Sequence, residues 1–96
     1  MRYRARIDQN QPDITKALRH FGASVQPIHT LGKGIPDLLV GFQRRNLLFE
    51  IKDPEAPNSR QVLTPDEVAF MGAWRGQYDI VLTVDDAIRL VKEHCK

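Results

Sequence analysis

Between Gln11 and Phe21 the apolar residues Ile14, Ala17, Leu18 and Phe21 recur at i, i+3, i+4 and i+7. That spacing is the stripe of an amphipathic helix, with Pro12 suited to its first turn and Gly22 to its stop. "ASVQPIH" (23–29) is β-branched and mixed, and predicts a strand whose Pro27 belongs at an edge or bulge. "TLGKG" (30–34) predicts a flexible loop. Residues 37–42 and 46–52 are apolar at nearly every position, and "QRRN" between them is a turn. Such a hairpin is expected to be covered on both faces.

A polar, proline-bearing loop, "DPEAPNSRQ" (53–61), follows. Thr64, Pro65 and Glu67 then spell an N-cap, a first helical residue and a reciprocal capping partner, so a helix is expected from Pro65 to about Arg75, ended by Gly76. "DIVLTV" (79–84) predicts a short buried strand. Asp85 or Thr83 caps a last helix with Ala87, Ile88, Val91 and Cys95 on its inner face. The order is αβββαβ plus a C-terminal helix. A mixed four-stranded sheet flanked by helices, an α/β domain, is the architecture this implies.

Ninety-six residues allow one domain (1–96), with 1–9 as a basic arm. The apolar fraction of 42% is that of a folded protein, and no apolar run reaches membrane-spanning length. The basic N-terminus lacks the apolar stretch of a secretory signal, so a cytoplasmic protein is expected. A single cysteine, Cys95, excludes an intramolecular disulfide, and with three scattered histidines it makes no zinc spacing. Net charge is only +2, but residues 1–50 carry eight Lys/Arg against four Asp/Glu, while residues 51–96 carry six against eight. The positive charge gathers at Arg2, Arg4 and Arg6 and at Arg44–Arg45. Local clusters of this kind suit a polyanion, and equally serve as a solubilising surface.

Three polar residues interrupt the apolar hairpin. Alternate strand residues share a face, so Glu50 and Lys52 point one way and Ile51 the other. With Arg44–Arg45 at the centre of the turn, Asp37 lies opposite Lys52 and Leu39 opposite Glu50. Asp37 and Glu50 are then diagonal neighbours, with backbones roughly 7–8 Å apart. Two carboxylates at that spacing suit a hard cation such as Mg²⁺, to which the Ile51 carbonyl is a further candidate ligand. The cation can polarise a phosphoryl oxygen and acidify water, with Lys52 orienting that water or steadying the transition-state charge. The competing reading is an Asp37–Lys52 pair at a sheet edge with Glu50 capping something nearby. Three charges on one face of an apolar hairpin favour chemistry, because burying unpaired charge is expensive.

"GIPDLLVG" followed by "LLFEIKD" resembles the PD-(D/E)xK nuclease signature, with Asp37 as the first acid and Glu50-x-Lys52 as the second half. The tripeptide alone is a weak signal. Its strand–turn–strand context, the preceding glycine loop and the element order make it a strong one. Within that superfamily nearly the whole chain is similar to the small standalone VRR-NUC type found in phages. The resemblance implies a restriction-endonuclease-like fold and a Mg²⁺- or Mn²⁺-dependent endonuclease acting as a homodimer on branched DNA such as Holliday junctions. It also implies a metal ligand on the first helix, where the family usually has glutamate and this chain has Gln11; Asp8 or Asp13 is a possible substitute. The family often has a glutamine opening the second core helix, where Glu67 stands here and the capping box also explains it. The alternative function is a nucleic-acid-binding or assembly module that keeps the fold without hydrolysis. A restriction-type enzyme reading duplex sequence ranks last, because the chain has no obvious recognition insertion.

Further DNA-binding candidates are His29 and Lys33 beside the glycine loop, Arg44 and Arg45 at the hairpin tip, and Arg60 and Gln61 after the motif. Each also has an ordinary surface or loop explanation; the arginines, for example, can protect the hairpin tip from edge pairing. Phe70 and Trp74, four apart on a helix, suit a core or dimer contact better than base stacking.

Overall fold

The computed structural model describes residues 8–58 and 61–96; Arg2, Arg4, Arg6, Ser59 and Arg60 lie outside the described residues. The elements run α1 (Gln11–Phe21), β1 (Ser24–Pro27), a 3-10 turn (His29–Leu31), β2 (Leu38–Phe42), β3 (Arg45–Ile51), α2 (Pro65–Ala73), β4 (Asp79–Val81) and α3 (Val84–His94). One mixed sheet has the order β1-β2-β3-β4, antiparallel except for the parallel β3–β4 pair. No helix among the described residues is long and apolar enough to cross a membrane.

Several boundaries differ from the sequence expectation. The strand expected over 23–29 stops at Pro27 and gives way to the 3-10 turn within the supposed flexible loop. α2 stops at Ala73, capped by Trp74 rather than ended by Gly76. β4 covers only Asp79–Val81, because Thr83 accepts from the Asp86 N–H at 3.0 Å and starts α3 there. The α3 inner face includes Leu90 alongside Ala87, Val91 and Cys95, with Ile88 only packed at its margin.

The hairpin turn is centred on Gln43–Arg44, both with positive φ (50° and 66°), not on Arg44–Arg45. Leu38 therefore pairs with Phe49 and Leu39 with Leu48, a register two residues away from the expected one. Because side chains alternate with period two, an even slip leaves every residue on its expected face.

One sheet face carries Val25, Leu38, Val40, Leu47, Phe49, Ile51 and Val81, all buried. α1 and α3 pack against each other and over this face, contributing Ile14, Leu18, Ala87 and Val91 to the core. The opposite face is the unexpected one. It carries Leu39, Leu48, Glu50 and Ile80, and Leu39, Ile80 and the following Leu82 are exposed. The expectation of a hairpin covered on both faces is thus corrected: α2 is the helix on this side, and none of its residues is buried.

Candidate active site

The open end of the β2–β3 hairpin holds the polar cluster. Continuing the Leu38–Phe49 register by one residue sets Asp37 directly opposite Glu50, not opposite Lys52. β2 begins at Leu38, so the Ile51 N–H has no strand partner at this point. Asp37 Oδ2 accepts from it at 2.7 Å, while the Asp37 carbonyl accepts from the Ile28 N–H at 2.8 Å. Asp37 is thereby fixed from both its side chain and its main chain.

Glu50 is 1% exposed and Lys52 7%. The Lys52 ammonium donates to Glu67 Oε1 at 2.9 Å and lies 3.6 Å from Glu50 Oε2. Glu67 reaches the site because it is the third residue of α2, whose capping box is complete: Thr64 Oγ1 accepts from the Glu67 N–H, and Glu67 Oε1 accepts from the Thr64 N–H. Glu67 is a site residue that sequence reasoning read chiefly as a helix cap; it is both.

Burial, then the charges of Asp37 and Glu67, push the Glu50 carboxyl up to about 10. Asp37 is raised as well, first by burial and against the opposing Ile51 and Glu50 hydrogen bonds. Burial pulls the Lys52 ammonium down, but the Glu67 hydrogen bond and the charges of Glu67, Glu50 and Asp8 outweigh it, and the net shift is upward. Burial alone would raise Glu67; its bonds to Lys52 and to the Thr64 N–H hold it below its ordinary value instead. The cluster at neutral pH is therefore a charged Lys52–Glu67 pair beside a Glu50 that keeps a proton.

The donor set suits a hard cation. Glu50 Oε1 and Gln11 Oε1 are both buried with no hydrogen-bond partner, and Gln11 is 4% exposed. Gln11 opens α1, which is tied to the strand ends by its N-cap: the Asn10 amide donates to the carbonyls of Lys52 (3.2 Å) and Leu82 (2.9 Å). Buried polar atoms are almost always paired, so the unpaired Glu50 oxygen across from Asp37 is what a bound ion would satisfy. Gln11, by contrast, is tied to this end of the sheet, among the described residues, only through its neighbour Asn10. No three His, Cys, Asp or Glu side chains among the described residues group by themselves around an ion position. The oxygen donors facing each other at this end of the hairpin are the carboxylates of Asp37 and Glu50, the kind that Mg²⁺ accepts while keeping waters. Of the two suggested substitutes for a first-helix glutamate, Asp8 lies close enough to act on Asp37 and Lys52 electrostatically, while Asp13 is exposed on α1.

Tyr78 was not anticipated. Its hydroxyl is buried without a partner, and burial followed by the charges of Glu50, Glu67 and Asp37 raises its pKa. Its ring packs 5.9 Å from Phe70, which stacks on Trp74 at 5.2 Å. A lone tyrosine between a glycine loop and a strand carries no sequence signal for such a role.

The remaining candidates separate by position. Lys33 is exposed, with φ of 56°, between Gly32 and Gly34 in the loop that leads to Asp37. His29 opens the 3-10 turn, with a buried, unpartnered Nδ1. Gln61 donates its amide to the carbonyls of Pro54 (3.0 Å) and Ala56 (2.5 Å), so it braces its own loop. Arg44 and Arg45 sit at the closed end of the hairpin, about 23 Å from Lys52 at ordinary strand rise. The structure does not bring them to the carboxylates.

Compared with known protein families, curated proteins and solved structures, the chain gives no match. The class of the site accordingly rests on its own chemistry: an acid pair and a lysine on one strand face, backed by a third carboxylate.

Proposed function

We propose that the protein is a Mg²⁺- or Mn²⁺-dependent endonuclease of the PD-(D/E)xK type, with a restriction-endonuclease-like fold and closest in kind to standalone VRR-NUC nucleases. It hydrolyses phosphodiester bonds in DNA, preferring branched substrates such as Holliday junctions, and works in the cytoplasm as a homodimer. The observation that carries this reading is the convergence of Asp37, Glu50 and Lys52 at one end of the hairpin, where one Glu50 oxygen is buried without a partner. The exposed apolar side chains Leu39, Ile80 and Trp74 support a second copy as the cover of the open face.

In this reading Asp37 and Glu50 hold the cation, with the Ile51 carbonyl and Gln11 as further ligands. A divalent ion held there supplies Lewis-acid polarisation of the phosphoryl oxygen and lowers the pKa of water. Lys52 steadies the charge that grows on the phosphorane-like transition state and orients the attacking water. The water oxygen forms a new P–O bond, one ester P–O bond breaks, and the leaving oxygen takes up a proton. Lys33 and His29, beside the loop into Asp37, are nearer candidate DNA contacts than Arg44 and Arg45, which would meet more distant phosphates.

The test is cleavage of a four-way junction, a flap and a linear duplex by the purified chain in Mg²⁺. Wild type is expected to cut the branched substrates, and Asp37→Asn to cut none. A second reading, a binding module without hydrolysis, is favoured by Gln11, whose neutral amide offers a cation no charge. Tight junction binding in Ca²⁺ with no product in Mg²⁺ or Mn²⁺ decides for that reading.

A further inference from the structure

The first turn of α2 touches both halves of the motif. Gly34, with φ of 78°, lies against it so closely that a Cβ there would run into the Asp66 carbonyl, and would come within 2.9 Å of the Glu67 nitrogen. Gly34 leads directly into Asp37, whereas Glu67 on the same turn holds Lys52 on β3. α2 buries no residue of its own, and Val68 and Met71 on it and its C-terminal cap Trp74 are exposed. Its docking is therefore concentrated at its N-terminal turn and at the Phe70–Tyr78 ring contact.

Among the described residues two carboxylates lie within 4 Å of the Lys52 ammonium, and they are not equivalent; Asp8 acts on it from farther off. Glu50 is 3.6 Å away, beyond a short charge-assisted hydrogen bond, whereas Glu67 is at 2.9 Å. The Glu67 side chain is itself locked, since the same Oε1 accepts from the Thr64 N–H at 2.9 Å. A lysine stem has several rotatable bonds and does not hold one orientation unaided. A carboxylate fixed by a helix cap supplies what the stem lacks.

The geometry points to Glu67 as the positioning residue for Lys52: the α2 capping box is built so that its acid also aims the lysine ammonium at the Asp37–Glu50 end of the hairpin. This rests on the nuclease reading only for what the aimed lysine does, not for the aiming itself.

Glu67→Gln separates the two duties, because glutamine also completes a capping box but carries no charge. Trace acetylation of the folded chain with acetic anhydride, followed by peptide mass spectrometry, reports Lys52 access without needing activity; exposed Lys16 is the internal reference. Lys52 is expected to react at least tenfold faster in Glu67→Gln than in wild type, with helix content unchanged by circular dichroism. Glu93→Gln, which removes one acid of the exposed Arg89–Glu93 pair, is expected to leave Lys52 as in wild type. On a junction substrate in Mg²⁺, Glu67→Gln is expected to lower kcat at least tenfold with KM within twofold. Unchanged Lys52 labelling in a folded Glu67→Gln chain overturns the positioning claim, and increased labelling with an unchanged kcat overturns the catalytic use of the aimed lysine. If wild type cuts no DNA in any metal, the nuclease reading fails, and the labelling still decides whether Glu67 holds the lysine.

Discussion

Asp37 and Ile51, fourteen residues apart, are joined by a hydrogen bond from the Ile51 N–H to Asp37 Oδ2 at 2.7 Å. The first acid of the motif thus completes the end of the sheet as well as facing Glu50, and its two duties can be parted by mutation. Asp37→Ala leaves the Ile51 N–H unpaired in a half-buried position and is expected to cost about 1–3 kcal/mol. Asp37→Asn keeps an acceptor oxygen and removes a partly buried charge, so its stability should stay within about 1 kcal/mol of wild type. Both should abolish cleavage. Urea denaturation beside a junction-cutting assay checks this; equal destabilisation by Ala and Asn would show that the hydrogen bond contributes little.

Glu50 makes the pH dependence of stability run opposite to that of an ion-paired acid. Its folded pKa of about 10 lies above the ordinary 4.5, so between those values the folded chain binds a proton that the unfolded chain releases. Stability is then fully present below about pH 4.5 and falls as pH rises towards about 10. The slope from one such group is at most about 1.4 kcal/mol per pH unit. Asp37 is raised too and adds the same sign. Glu67 is lowered, so what it contributes is lost as pH falls below the ordinary glutamate range, and the raised Lys52 loses its contribution only above the lysine range. Neither cancels the Glu50 slope near neutrality. Glu50→Gln should therefore be more stable than wild type at pH 8, with a flatter profile, while losing cation binding and cleavage. Thermal denaturation from pH 5 to 9 checks it, and a Glu50→Gln chain less stable than wild type at pH 8 would refute it.

The same proton links cation affinity to pH. A ligand carboxyl must be ionised to bind, so an ion held by Glu50 displaces its proton. Mn²⁺ titration calorimetry in two buffers of different ionisation enthalpy should show release of close to one proton at pH 7. Affinity should rise with pH, by up to about tenfold per unit for one displaced proton. Binding without proton release would place the ion away from Glu50.

How much of this was legible beforehand depends on the kind of signal. The Thr64–Glu67 cap and the Ile14–Leu18 stripe are local patterns, and α1 and the start of α2 fall where those patterns put them. The hairpin register was misjudged because "QRRN" has no glycine or Asn-Gly pair to mark which two residues take positive φ. The slip was even, so Asp37 and Glu50 still share a face. What could not be read were side chains standing in for distant backbone. Gln77 bonds both the N–H (2.6 Å) and the carbonyl (2.9 Å) of Leu48, extending the sheet edge ahead of β4, and nothing local announces it. Tyr78 beside the acids is of the same kind. The open face misled for another reason: apolar strand residues signal cover without saying whether the cover comes from the same chain.

Gln11 offers a probe of the proposed cation site. Its buried Oε1 has no partner, and Gln11→Glu changes only the charge there. Buried at the start of α1, that charge should destabilise the metal-free chain by roughly 1–3 kcal/mol, in the range for a buried polar group left unsatisfied. It should tighten Mn²⁺ binding at least tenfold, since ligand charge sets affinity for hard cations. An unchanged Mn²⁺ affinity would put Gln11 outside the ion's ligand shell.

The proposed homodimer makes the open sheet face its expected interface. Leu39, Ile80 and Leu82 are 37%, 42% and 41% exposed, and Met71 and Trp74 of α2 are 40% and 46% exposed. Exposed apolar side chains such as these on a small chain invite a partner, and a two-fold pair would bury the same side chains on both copies. Ile80 is the residue to change, because it lies on the edge strand, faces away from the core and pairs with Glu50 only through the backbone ladder. Ile80→Glu should fold with wild-type helix content and a melting temperature unchanged or lower only by the loss of association. Light scattering after size exclusion at tens of micromolar should give twice the 11.0 kDa chain mass for wild type and the single mass for Ile80→Glu. Wild type eluting as a monomer at that concentration, with or without junction DNA, removes the second copy as the cover of this face.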